Sequence, residues 1–485
     1  MVLLLFCILL PAAAGVLLPV LSVKERKTRN MIVIAVLAAE ALLVTLLCLQ
    51  DASGTLFAMT DVLRVDVKVD AVSRLFLLVS AFGYLLAGIF AAKYMDHEEK
   101  AGSFSENTFY CFYLTSLAAL IGMAVSANLI AMYFFFEMAT LLSMPLVLFE
   151  RTKAAVGAAL KYLFYSIAGA FLGLACIFVL SGYCTTLNFA AGGTLDAAAV
   201  SGHEGLILTM TFLGVLGFGA KAGLYPLHGW LPTAHPEAPA PASAVLSGVI
   251  TKAGVLAILR LLYFTVGTDF LFGTWVQKAL LALALLTVFM GSMMAFREKN
   301  LKKRLAYSTV SQISYILLGL SMLSAEGLAG GLLHLMSHAA SKGCLFLVAG
   351  IFIYKLGIRQ ADGLKGVGRQ MPVTLWCFFI AALSLVGIPP MGGFLSKWVI
   401  AGAVLSGGRG ILQILPAVVL LISALLTAGY LFPVVVDGFF PGRDFPEKAE
   451  KQEPSPLMTV PLMVLCAAAL AVGVFGTQIL AFFGI

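Results

Sequence analysis

The sequence predicts an all-α, polytopic membrane protein of about fourteen transmembrane helices. Three observations carry that expectation. Of the 485 residues, 61% are hydrophobic and 11% are charged, against roughly 25% charged in a typical soluble domain. Apolar runs of the ~20 residues needed to cross a hydrocarbon core recur from end to end. Basic residues alternate from loop to loop, as membrane topology requires.

The apolar runs fall at 1–23, 31–50, 71–92, 109–127, 128–149, 155–183, 206–228, 240–267, 275–296, 304–323, 326–355, 372–404, 411–439 and 457–483. Only Asn128 separates the fourth from the fifth. The first, from Met1 to Val20, lacks a basic leader and leads into a second span, so it reads as a retained helix and not a cleaved signal. Loops after spans 1, 3, 5, 9, 11 and 13 carry 20 of the 31 lysines and arginines, among them Lys24, Arg26, Lys27 and Arg29, then Arg297, Lys299, Lys302, Lys303 and Arg304, then Lys355, Arg359, Lys365 and Arg369. The opposite loops carry five: Arg64, Lys68, Arg74, Lys278 and Arg409. The positive-inside rule makes the first set cytoplasmic. Both termini are then expected on the outer face of the cytoplasmic membrane of a prokaryote. An odd error in the span count would scramble the alternation.

The eight cysteines are scattered, with no CxxC pair and no Cys/His ligand spacing, so no iron–sulfur cluster or other cofactor is expected in this chain. The run Gly217-Phe218-Gly219-Ala220-Lys221-Ala222-Gly223 lies inside a span, where small residues let helices approach closely. It is not a nucleotide loop. Nothing points to nucleic acid; the surrounding medium is the lipid bilayer.

Two spans contain breakers. The seventh ends in a stretch with Pro226 and Pro232, and the twelfth contains Gly387-Ile388-Pro389-Pro390 ahead of Lys397. They are five spans apart and therefore antiparallel. Paired broken helices in corresponding positions point to an inverted repeat. The expected divisions are 1–108 (spans 1–3), 109–267 (spans 4–8, first repeat), 268–440 (spans 9–13, second repeat) and 441–485 (span 14). Backbone groups freed at a break must face protein or water, which places both breaks beside hydrated cavities.

Charges inside the spans are the main functional signal. Each costs ~2.5–3.5 kcal/mol at a helix centre on insertion scales. The candidates are Glu137, Lys161, Lys221, Lys252, Lys342 and Lys397, with His334 and His338. Lys221 is expected mid-span, and His228 and His235 in the loop that follows. Glu40 and Arg260 also fall within spans; Arg260 reads as a structural charge and Glu40 as a residue facing a neighbouring subunit. Six bases against two acids cannot all pair one to one, so some lysines must be hydrated or transiently neutral. A lysine poised between its two states can take up and release protons. Lys161 lies closer to a span end, where it can snorkel. His334, His338 and Lys342, spaced by four, share one helix face. With no third ligand evident, they read as a water-linked relay and not a metal site. Ser308, Ser311, Gln312 and Tyr315 share another face and either hold water or join helices.

Together these motifs resemble the antiporter-like, proton-translocating subunits of respiratory complex I, energy-converting hydrogenases and Mrp-type sodium/proton antiporters. The carriers are Phe134-Phe135-Phe136-Glu137, Gly219-Ala220-Lys221, His228-Gly229-Trp230-Leu231-Pro232, Ala234-His235-Pro236-Glu237-Ala238-Pro239, Thr251-Lys252, His334 to Lys342, and Gly387-Ile388-Pro389-Pro390 to Lys397. The resemblance implies inverted five-helix repeats with broken seventh and twelfth helices. It also implies a Glu137–Lys221 coupling pair, Lys252 as central relay, the His334–Lys342 stripe as a hydrophilic axis, and Lys397 at the exit. It implies a middle-type subunit without a long lateral helix. Its partners would be further antiporter-like and small membrane subunits, with an iron–sulfur, hydrogenase or flavin-bearing peripheral arm in the redox-driven case. The transported ions would be protons and, in the Mrp case, sodium. A stand-alone secondary transporter and a non-conducting scaffold are the rival readings.

Overall fold

The computed structural model describes residues 1–58, 60, 63–97, 103–406, 411–442 and 450–484. Arg409 lies outside them. The chain is nearly all helical. Its elements are α1 (Val2–Val20), α2 (Arg26–Leu47), a hairpin of β1 (Ser53–Ala58) and β2 (Arg64–Lys68), α3 (Ala71–Tyr94), α4 (Glu106–Ala124), α5 (Leu129–Val147) and α6 (Lys153–Ser181). There follow α7 (Glu204–Ala222), the short α8 (Leu231–Glu237), α9 (Ala240–Val266), α10 (Trp275–Arg297), α11 (Leu301–Ser321) and α12 (Ala325–Leu356). The last are α13 (Pro372–Val386), α14 (Gly392–Ser406), α15 (Ile411–Phe439) and α16 (Pro456–Phe483).

Among the described residues, twelve helices are long and apolar enough to cross a membrane. Two of the expected spans are built differently. The tenth is α11, 21 residues long, whose lysines, serines and Gln312 dilute its apolar character. The twelfth is the pair α13 and α14, of 15 residues each, interrupted at Gly387–Met391.

Local chemistry sets the boundaries. Asp70, Ser105, Asn128, Thr152, Asn300 and Ser324 each accept a backbone N–H of the first turn that follows, satisfying donors the helix cannot. Asn128 thereby separates α4 from α5. Gly223 and Gly387 adopt left-handed φ of 86° and 92° and end α7 and α13. Each break also contains a cis X-Pro bond, Tyr225-Pro226 and Pro389-Pro390.

The antiparallel hairpin β1–β2 was not expected. Its alternation, Arg64-Val65-Asp66-Val67-Lys68, is a period-2 pattern too short to register against the membrane signal. α9 is not one uniform helix either: it opens into wider, π-type turns at Leu246–Ile250 and Arg260–Val266.

Burial follows solvent logic inverted for lipid. Phe164, Phe171 and Phe178, seven apart on α6, face outward, while Ser166, Gly169 and Gly173 face the core. There α6 crosses α7 so closely that a Cβ at Gly217 would lie 2.3 Å from the Gly169 carbonyl oxygen. That is the close packing the small-residue run predicts. α9 lies wholly inside the bundle, and α12 packs against α11, α13, α14 and α16.

A candidate ion-translocation axis

α7 ends immediately after Lys221, which therefore occupies its last turn and not its middle. The earlier end places the ammonium beside the helix C-terminus, where exposed carbonyls favour positive charge. Its Nζ donates to the Phe136 carbonyl (3.3 Å) and to Thr140 Oγ1 (2.5 Å), and lies 4.7 Å from the centre of the Phe136 ring. Glu137 is near enough to act on it electrostatically. No ion pair within 4 Å joins them, and one Glu137 oxygen, Oε1, has no hydrogen-bond partner among the described residues.

Lys161 is half-buried and donates to Thr233 Oγ1 at 3.1 Å. Pro226 lies in the turn after α7, and Pro232 in the first turn of α8. His228, in that turn, stacks on Tyr225. His235 is not a loop residue. It sits in α8, fully buried and stacked 4.5 Å from Phe346, with neither ring nitrogen hydrogen-bonded among the described residues.

The centre of the axis is the pair Lys252 and His338. Lys252 Nζ lies 2.6 Å from His338 Nδ1 and 2.5 Å from the Ser247 carbonyl oxygen. A carbonyl at that site is available because the helix widens there and its i−4 bond is relaxed. Either nitrogen can be the donor of this hydrogen bond, depending on which tautomer the imidazole holds. One turn away, His334 stacks on His338 with ring centres 6.3 Å apart. His334 Nδ1 meets Ser396 Oγ at 2.8 Å and its Nε2 meets Gln312 Oε1 at 3.1 Å. It also stacks on Tyr315. On the other side of His338, Lys342 donates to the Leu305 carbonyl at 2.9 Å.

Lys397 ends the row. Its Nζ donates to the Leu385 and Val386 carbonyls (2.6 and 3.0 Å), which close α13, and lies 4.8 Å from the centre of the Tyr315 ring. Pro389 and Pro390 form the gap between α13 and α14. His338, His334, Tyr315 and Lys397 thus run in unbroken contact from Lys252. Lys221 has no hydrogen bond to this row.

Two charged groups outside the row are resolved as well. Arg260 makes two bonds to Asp70 (2.7 and 2.8 Å) and lies over Phe189 and Phe264, a structural anchor between α9 and the start of α3. Glu40 does not face a neighbour: it is fully buried within this chain, with no partner on either oxygen among the described residues. Among the described residues no group of three or more His, Cys, Asp or Glu could hold a metal ion. Sequence reasoning missed Thr140 and Ser396. Thr140 was findable, since it follows Glu137 by three on the same helix face.

Comparison with known proteins decides the family. Residues 126–426 match the transmembrane family of NADH:quinone oxidoreductase and Mrp antiporter subunits. The chain belongs to this family. It is 33% identical over 430 residues to NADH-quinone oxidoreductase subunit N of Desulforudis audaxviator, covering 86% of this chain and 83% of that one. It is 30% identical over 389 residues to a Na(+)/H(+) antiporter subunit of Bacillus subtilis, covering 80% and 74%. Hydrogenase-4 component B of Escherichia coli is 33% identical over 346 residues, covering 68% of this chain and 50% of that one. Two solved assemblies contain chains of the same fold. One is an archaeal membrane-bound sulfane sulfur reductase (TM-score 0.85, 23% identity, 99% of this chain and 96% of that one). The other is the Mrp complex of a Dietzia species (TM-score 0.84, 23% identity, 99% and 96%). The chain is a multi-pass, antiporter-like membrane subunit of this superfamily.

Proposed function

We infer that this subunit translocates protons within a multi-subunit membrane complex, driven by redox chemistry in partner subunits. The observation that carries this reading is the 2.6 Å hydrogen bond of Lys252 with His338, followed by the stacked rings of His334 and Tyr315 and by Lys397 on the Tyr315 face. Such a row of buried bases costs stability and is useful only if protons move along it. Glu137, Lys161 and Lys221 load the first half, and Lys342 branches from the centre. Movement of charge at Glu137 changes how strongly Lys221 holds its proton, because an opposite charge favours the ammonium. His228 and His235 flank the break and offer protonatable groups on the cytoplasmic side. The proposed topology is fourteen spans with both termini outside, inverted repeats at 109–267 and 268–440, and no cofactor of its own.

A second reading, an Mrp-type sodium/proton antiporter driven by an ion gradient, is favoured by the similarity to the Bacillus subtilis antiporter chain over 74% of its length. Purification of the tagged chain in mild detergent separates the two. Iron–sulfur, nickel–iron or flavin proteins would accompany the first, and only small membrane subunits the second. A chain isolated alone and stable would favour a stand-alone transporter. In either complex, Lys221→Ala is expected to abolish coupled proton transport while leaving assembly intact. Normal transport by the assembled variant would overturn the reading.

A further inference from the structure

The end of α7 is held by contacts that come from three other parts of the chain. The helix closes on a left-handed glycine: Gly223 N–H donates to the Ala220 carbonyl at 3.3 Å, and Leu224 N–H to the Gly219 carbonyl at 2.8 Å. The Ala220 carbonyl, immediately before Lys221, takes a second and shorter bond, 2.8 Å, from the Trp230 indole N–H. Trp230 belongs to the turn between α7 and α8, one residue ahead of Leu231. Its ring lies 4.4 Å from the ring of Tyr162 on α6, centre to centre. The Tyr162 hydroxyl is 2.8 Å from Ser143 Oγ on α5. Ser143 follows Thr140 by three residues and donates to the Ala139 and Thr140 carbonyls at 2.6 and 3.3 Å. Thr140 in turn holds Lys221 Nζ. The contacts therefore close on themselves, through Lys221, Thr140, Ser143, Tyr162, Trp230 and Ala220. All six residues are fully buried.

Space-filling alone does not account for where the indole points. A buried tryptophan needs an acceptor for its N–H, and many carbonyls could serve. This one takes the carbonyl next to the lysine, on a helix end whose last carbonyls have no partners further along the helix. Lys221 is placed only as firmly as that last turn is tied. The segment that carries Trp230 is itself fastened to α6: Lys161 Nζ donates to Thr233 Oγ1 at 3.1 Å, and Thr233 donates to the Gly229 carbonyl at 3.0 Å.

We propose that Trp230 is a positioning residue for Lys221. Its N–H fixes the last turn of α7, and its ring, through Tyr162 and Ser143, sets that turn against Thr140. The proposal rests on the proton-translocation reading above. Trp230 carries no proton. It keeps Lys221 Nζ on the Thr140 hydroxyl and the Phe136 carbonyl, so that the lysine is loaded in one geometry. It also ties the break to the lysine: a displacement of the turn after Gly223 pulls on the Ala220 carbonyl and moves Lys221 with it.

The test uses the assembled complex in proteoliposomes, with protons moved and partner-subunit turnover both measured. Trp230→Phe keeps a ring against Tyr162 and removes the N–H. It is expected to lower protons per turnover by about two- to tenfold, the effect of one hydrogen bond. Combined with Thr140→Val, it is expected to lose less than the product of the two single losses, because both changes loosen the same lysine. A tryptophan that only fills space would give losses that multiply. Wild-type proton transfer by the assembled Trp230→Phe complex overturns the proposal, and so do multiplying losses. If Trp230→Phe fails to assemble, Tyr162→Phe decides, since it leaves the tryptophan in place and cuts the contacts between α6 and α5: reduced transfer supports the proposal, and wild-type transfer overturns it. A wild-type complex that moves no protons would instead overturn the functional reading beneath it.

Discussion

Replacing Thr140 with valine should impair proton loading at Lys221 without disturbing the fold. Thr140 donates its hydroxyl proton to the Phe136 carbonyl at 3.2 Å and so turns a lone pair toward Lys221 Nζ, 2.5 Å away. Valine keeps the branched shape and removes that acceptor. A hydrogen bond to a charged group is worth about 1.5–3 kcal/mol. At about 1.4 kcal/mol per factor of ten, the protonated state of Lys221 becomes roughly ten- to 150-fold harder to populate. The Phe136 ring and carbonyl remain, so the lower end is expected. The assay is protons moved per turnover by the assembled complex in proteoliposomes, with Thr140→Ser as the control that retains the hydroxyl. Transport by Thr140→Val within twofold of wild type would refute the argument that this hydroxyl holds the loaded state.

Three further perturbations follow from the same geometry. Arg260→Ala leaves Asp70 unpaired; breaking a buried pair costs ~3–5 kcal/mol, and because Asp70 is 28% exposed the lower end applies, read as a fall in the thermal midpoint of the solubilised complex. Gly217→Ala drives a methyl to 2.3 Å from the Gly169 carbonyl, forcing α6 from α7; a reduced yield of assembled complex on a native gel is expected, and an unchanged yield would show that the crossing tolerates the shift. His338→Ala removes the imidazole nitrogen 2.6 Å from Lys252 and is expected to cut transport at least tenfold in a complex that still assembles.

Much of this was legible in the sequence because a membrane leaves few choices. Apolar runs and the loop charges locate the helices, and proline with glycine locates the two breaks. The boundaries are less legible. Hydropathy carries the seventh span to residue 228, whereas Gly223 ends the helix, because hydropathy does not register a left-handed cap. That difference moves Lys221 from mid-helix to a last turn. The prolines around His235 suggest a loop, yet Pro232 occupies a first-turn position that a helix tolerates. Glu40 lies on a span whose outer face is apolar, and only the packing of α1 and α3 against α2 shows the carboxyl enclosed. Ser292 of α10, Ser311 of α11 and Ser423 of α15 hydrogen-bond to one another, a cluster that no single helical period can reveal.

The two kinds of buried base are treated differently, and this yields the sharpest prediction. The arginines are locked to carboxylates: Arg260 to Asp70, and Arg29 to Glu106. Lys221, Lys252, Lys342 and Lys397 instead rest on neutral dipoles, namely backbone carbonyls, hydroxyls and an imidazole. Lys221 and Lys397 share a further feature, an aromatic face at 4.7 and 4.8 Å. A full counter-charge would fix the proton, whereas dipoles stabilise the ammonium without making its loss prohibitive. Arginine stays protonated at any working pH, so the distinction can be tested at the centre of the row. Lys252→Arg keeps the charge beside His338 and Ser247 but cannot release a proton. Assembly with transport reduced to background is expected, measured in proteoliposomes alongside Lys252→Ala. Transport at the wild-type rate by the arginine variant would mean that Lys252 acts as a fixed charge and not as a carrier.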